Sequence, residues 1–139
     1  MSVIDTDAGA LKPDNRPAFV RTPAAGYFRL SKDGGEHDCH YHDFNELYLI
    51  CGGMAKVLNA GVEAYVQARD IVCIKAGDEH DILEVYGDED LELYWVYEPG
   101  PTDGRLGHLH RSLEKAEPHA VPGKPIPADF PVKERQPLA

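Results

Sequence analysis

Gly34-Gly35-Glu36-His37-Asp38-Cys39-His40-Tyr41-His42-Asp43-Phe44-Asn45-Glu46-Leu47-Tyr48-Leu49-Ile50-Cys51-Gly52-Gly53 is the stretch on which the reading of this chain turns. Glu46 to Cys51 reads as a strand stopped by Gly52-Gly53. Side chains alternate along an extended chain, so His40 and His42 share a face, and Glu46 stands at even spacing from both. Imidazole nitrogen with carboxylate oxygen suits Zn²⁺, Fe²⁺, Mn²⁺, Ni²⁺ or Cu²⁺. A fourth ligand has to come from elsewhere, and His80, just after Gly77-Asp78-Glu79 at the start of a later strand, is placed to supply it. Three histidines and one carboxylate leave one or two positions open on the cation, as chemistry requires.

Outward from that stretch the chain divides by its prolines. Pro13, Pro17 and Pro23 precede Ala24, none lies between Ala24 and Glu98, and the rest follow from Pro99 to Pro137. Proline fits poorly in central strands, so the proline-free middle is where a sheet forms. Within it, short apolar runs alternate with turn signals: Tyr27–Leu30, Glu46–Cys51, Ala55–Asn59, Glu63–Val66, Asp70–Ile74, Asp81–Val85 and Leu91–Tyr97. Ala60-Gly61 predicts a tight hairpin turn. Helical spacing occurs only in Leu106 to Ala116, where Leu109 and Leu113 are four apart. The expectation is a β-barrel or β-sandwich at 24–100, preceded by an extended arm at 1–23. A short helix and a proline-rich tail follow at 101–139, the tail disordered or draped over the body or a partner subunit.

At 139 residues the chain has room for one core. Its formal charge of −10 would repel a nucleic-acid backbone or an anionic membrane surface. No apolar run approaches the roughly 20 residues of a membrane span, and the N-terminus lacks the basic-then-apolar pattern of a secretory signal. Cys39, Cys51 and Cys73 are an odd set without C-x-x-C spacing. Together these features predict a reduced, acidic, cytoplasmic protein with neither nucleic-acid nor membrane partners.

The spacing Gly34, five residues, His40, one residue, His42, three residues, Glu46, six residues, Gly53 resembles the first cupin motif at every fixed position. The second cupin motif is matched in part. Asp70, Gly77 and His80 stand at its places, while Arg69, Lys75 and Glu84 replace its usual glycine, proline and asparagine. The resemblance covers about Tyr27 to Glu98. It implies an all-β, double-stranded β-helix (jelly-roll) barrel holding one divalent transition metal per chain, Zn, Fe, Mn or Ni, through His40, His42, Glu46 and His80. It also implies a homodimer and a small-molecule ligand or substrate. The leading expectation is a metal-dependent isomerase, epimerase or lyase acting on a sugar, uronate or hydroxy acid. An iron-dependent dioxygenase and a non-catalytic sensor module stay open beside it.

Several further residues carry two readings each. Tyr48 shares parity with Glu46 and either offers its hydroxyl to a ligand or fills the core. Glu84 shares parity with His80 and is either a general base, a group orienting a ligand histidine, or a solvated strand end. One face of the last strand carries Leu91, Leu93, Trp95 and Tyr97, the other Glu92, Tyr94 and Val96, and alternation does not say which looks inward. Arg29 either neutralises an acid in the pocket or, more simply, sits on the surface. His37 either lies at the mouth or is exposed in a glycine-rich turn. His108-Leu109-His110 is a second H-x-H, but in a helix residues two apart diverge, which argues against a shared metal there. Cys39 and Cys73 read as buried small apolar groups, and Asp88-Glu89-Asp90 as a solvated turn.

Overall fold

The computed structural model describes residues 1–101 and 104–134. Among the described residues nine strands and one helical turn follow in order: β1 (Ala25–Leu30), β2 (Gly34–His37), β3 (Glu46–Gly52), β4 (Met54–Asn59), β5 (Val62–Gln67), β6 (Ile71–Ile74), β7 (His80–Tyr86), β8 (Leu91–Tyr97), α1 (Leu113–Ala116) and β9 (His119–Lys124). They form two sheets, one in the order β1-β8-β3-β6 and the other β2-β9-β7-β4-β5. All pairings are antiparallel except β7 with β9. The fold is the expected all-β jelly roll with a single short helix.

The core lies between the sheets and follows from alternation. In β3 the residues Glu46, Tyr48 and Ile50 are buried, and their partners across β8 are Tyr97, Trp95 and Leu93. Leu91, Leu93, Trp95 and Tyr97 therefore form the inward face of β8, while Tyr94 is exposed. From the opposite sheet, Ala55, Val57, Ile82, Val85 and Val121 close the core. The glycines that bracket the histidine stretch have a steric cause. Gly34 and Gly53 both have positive φ, and a Cβ on Gly34 would sit 2.8 Å from the carbonyl oxygen of Val121, while one on Gly53 would collide with the main chain of Asp90.

The structure departs from the sequence reading in several places. The predicted helix over 106–116 shrinks to α1, because Leu109 instead bridges Tyr41 in extended form. β9 lies within the stretch read as a strandless tail and joins the five-stranded sheet, although it contains Pro122. Its bonding to β7 is confined to Gly123 and Lys124, beyond the proline. The barrel thus draws on residues well past position 100. Further on, Phe130 packs against Tyr65 and Tyr86, and Gln67 Nε2 donates to the Pro131 carbonyl at 2.9 Å, so the tail as far as 134 is draped on the body. Residues 135–139 of the predicted tail lie outside the described residues. The N-terminal arm is tied to β1 by reciprocal bonds between Leu11 and Ala25, of 2.8 and 3.1 Å. Cys73 is exposed, since it alternates with buried Ile74 and faces outward from β6, and Arg29 is a surface residue paired with Asp90. No helix among the described residues is long and apolar enough to cross a membrane.

Candidate metal centre

His40, His42, Glu46 and His80 come together inside the barrel, each no more than 3% exposed. Glu46 opens β3 and His80 opens β7, and His40 is held beside His80 by main-chain bonds of 2.8 and 3.2 Å in both directions. One nitrogen from each of the three rings lies within 4.8 Å of the other two. Glu46 Oε2 is 2.9 Å from His42 Nε2 and 3.1 Å from His80 Nε2. Those contacts lack hydrogen-bond geometry, and these three buried atoms have no hydrogen-bond partner.

The far side of each ring explains that arrangement. His40 Nδ1 lies 2.9 Å from the Asp38 carbonyl, His42 Nδ1 2.8 Å from the Gly107 carbonyl, and His80 Nδ1 3.1 Å from the Asp78 carbonyl. A carbonyl only accepts, so all three rings donate through Nδ1–H, which leaves Nε2 as the nitrogen available to a cation. The Tyr97 hydroxyl, 2.9 Å from His42 Nδ1, braces the same ring. Outer hydrogen bonds of this kind orient imidazoles toward a cation. Burial pushes the Glu46 carboxyl up, but the adjoining imidazoles of His42 and His80 outweigh it and hold the group at about 2. Burial, joined by the neighbouring imidazoles, drives His40 down to about 3. The centre therefore offers three imidazoles and one carboxylate, a donor set that fits a divalent transition metal.

His40, His42 and Glu46 open onto a cavity of about 420 Å³, walled by Phe28, Tyr48, Leu93 and Trp95, with Lys12, Leu106 and His108 also lining it. Tyr48 lies edge-on to His80 at 5.9 Å, packs in the core and lines the cavity. Glu84 is not brought in. The β4–β7 register slips between Lys56 and Val57, which pair with Glu84 and Ile82, so the extra residue Leu83 inverts the alternation. Glu84 consequently bonds Lys124 at 2.7 Å and Tyr86, away from the cavity.

Two further clusters, around Asp81 and around Asp38, stand close by. His37, far from being exposed, is buried in β2 and lines the cavity. Its Nδ1 lies 2.8 Å from Asp81 Oδ1, and the other oxygen of Asp81 lies 2.7 Å from His119 Nε2. Asp38 meets both histidines of the second H-x-H, and His108 stacks flat on His40 with centroids 3.6 Å apart. The only signal for these contacts was residue type, because their partners come from segments far apart in the chain. Cys39, as alternation implied, turns from the centre toward Glu79 and is half-buried.

No family model matches the chain. An uncharacterized protein, y4oW of Sinorhizobium fredii, is 32% identical over 101 residues, covering 71% of this chain and 43% of that protein. The chain thus spans less than half the length of that curated relative. Among solved structures, a cupin 2 conserved barrel domain protein from Salinispora arenicola superposes with a TM-score of 0.53 at 20% identity, over 70% of this chain and 87% of that one. A cupin protein from Bacteroides fragilis gives 0.52 at 20% identity, over 76% and 88%. The DMSP lyase DddQ from Ruegeria pomeroyi gives 0.50 at 21% identity, over 63% of this chain and 44% of that one. The two facing sheets, superposing on these barrels, give the chain the cupin fold.

Proposed function

We propose that His40, His42, Glu46 and His80 hold one divalent transition metal, Zn, Fe, Mn or Ni, and that the protein is a metal-dependent enzyme of small polar metabolites. The observation that carries this reading is the set of three orphaned, buried atoms, His42 Nε2, His80 Nε2 and Glu46 Oε2, facing one another. Leaving such atoms unpaired in a core is costly, and a cation satisfies them together. When bound, the metal polarises chelating substrate oxygens and acidifies what is attached to them. The apolar walls at Phe28, Leu93 and Trp95 exclude water from that step. Lys12 offers an ammonium to a substrate carboxylate, which favours a uronate or hydroxy acid over a neutral sugar. His37, whose Nδ1 is engaged by Asp81, has Nε2 left to hold or move a proton at the substrate, the role the sequence reading gave to Glu84. Isomerisation, epimerisation or elimination follows from that pairing of a polarising cation with a proton carrier.

An iron-dependent dioxygenase is a second reading, favoured by the aromatic walls of Phe28, Tyr48 and Trp95. A homodimer belongs to the same proposal, as does a reducing compartment such as the cytoplasm, which suits thiols unpaired at Cys39, Cys51 and Cys73. The test is to load stripped protein with each metal and incubate it in D₂O with uronates, hydroxy acids and sugars. Deuterium entering substrate, lost in Glu46→Gln, supports the proton-transfer enzyme. Oxygen uptake with catechols, thiols or diketones would replace it by the dioxygenase, and ligand binding without either reaction by a sensor module.

A further inference from the structure

We infer that Asp38, His108 and His110 form a second divalent-cation site, at the mouth of the cavity. Their ligand atoms lie within 4.8 Å of one another. His108 Nδ1 is 3.2 Å from both oxygens of Asp38, and His110 Nε2 is 2.5 Å from Oδ2. Tetrahedral ligands about 2.0–2.2 Å from a zinc ion stand roughly 3.4 Å apart, so small outward shifts admit the ion.

The backbone explains why two histidines spaced i, i+2 can share it. Leu109 and Tyr41 exchange main-chain bonds of 2.9 and 3.0 Å, which extends the segment and turns its flanking side chains to the same side. The Gly107 carbonyl, accepting from His42, anchors the segment at one end. The His108 ring is further fixed by its stack on His40, the two planes being 8° apart. Asp38 also lies 3.4 Å from His40 Nδ1. Two imidazoles and one carboxylate select zinc, cobalt, nickel or copper over magnesium or calcium. The His108 side chain is 49% exposed, so water or a ligand oxygen can complete the coordination.

This site has its own ligands and does not rest on the buried one. Metal-stripped full-length protein titrated with Co²⁺, followed by calorimetry and the visible spectrum, tests it. Wild type is expected to bind two equivalents. Asp38→Asn, which keeps the shape but only one of the carboxylate's two acceptor oxygens, and His110→Ala should each weaken one equivalent at least about tenfold, or 1.4 kcal/mol. Glu46→Gln should leave that equivalent intact. Melting curves identify any variant that fails to fold, in which case the remaining one decides. If Asp38→Asn and His110→Ala both bind as wild type does, the inference is overturned. A single equivalent, lost in Asp38→Asn and kept in Glu46→Gln, would uphold this site and remove the buried one.

Discussion

Glu46 carries a negative charge at a depth where only its imidazole neighbours compensate it, and that is why its substitution is informative. Glu46→Gln keeps the shape but removes the charge a cation needs. Added metal should stabilise wild type by about 2.7 kcal/mol at a concentration 100-fold above Kd, by linkage to the folded state. The variant should lose the share of that rise due to the buried site and keep only what the Asp38 site supplies; an equal rise in both proteins would contradict the role of Glu46. The cluster of four was legible because His40, His42 and Glu46 are close in sequence and alternation is local. Glu84 was misplaced because one bulge residue, Leu83, reverses parity, and bulges leave no mark in a pattern of residue types. His37 was left open between the mouth and an exposed turn because its environment is made at long range by Asp81 and His119, on β7 and β9.

β9 is held against its neighbours partly by the His119–Asp81 pair, which gives that element a pH dependence. Burial lowers the His119 ring, but its bonds to the Ala120 carbonyl and the Asp81 carboxylate prevail and raise it above its ordinary value. Protonated His119 is thus favoured in the folded state. Its contribution is complete below the unfolded value of about 6.5 and fades as pH rises through the folded one. His119→Gln should accordingly lower the melting temperature more near pH 5 than near pH 9, and a pH-independent difference would refute the pairing. The β4–β5 turn offers a test of another kind. Ala60 and Gly61 both have positive φ, 50° and 79°, the two-residue turn the sequence predicted, yet alanine is poorly suited to the first position. Ala60→Asn should stabilise the protein by about 1 kcal/mol, read as a higher melting temperature; no rise would mean that the turn adopts another form. Strands with strong alternation, such as β3 and β8, were legible to within a residue or so. β2 and β9 were not, because Gly34-Gly35 and Pro122 are turn and breaker residues that only tertiary pairing makes extended.

The whole molecule joins an acidic surface, a net charge of −10, to a barrel whose edge strand β1 is met by the N-terminal arm through Leu11. Removing residues 1–23 is expected to lower the dimer fraction in light scattering, and an unchanged mass would refute a part for the arm in assembly. The barrel was legible from the proline-free middle of the chain. The C-terminal closure was hidden by proline content, which argues against strands wherever pairing does not override it. At this scale the account stands on one point, the shared cation inside the barrel. An anomalous difference map from crystals of metal-supplied protein reads it directly. The expected result is a peak about 2.0–2.2 Å from the Nε2 atoms of His40, His42 and His80 and from a carboxylate oxygen of Glu46. No peak at that position after soaking with zinc, manganese, iron or nickel, the four side chains keeping their present contacts, would contradict it.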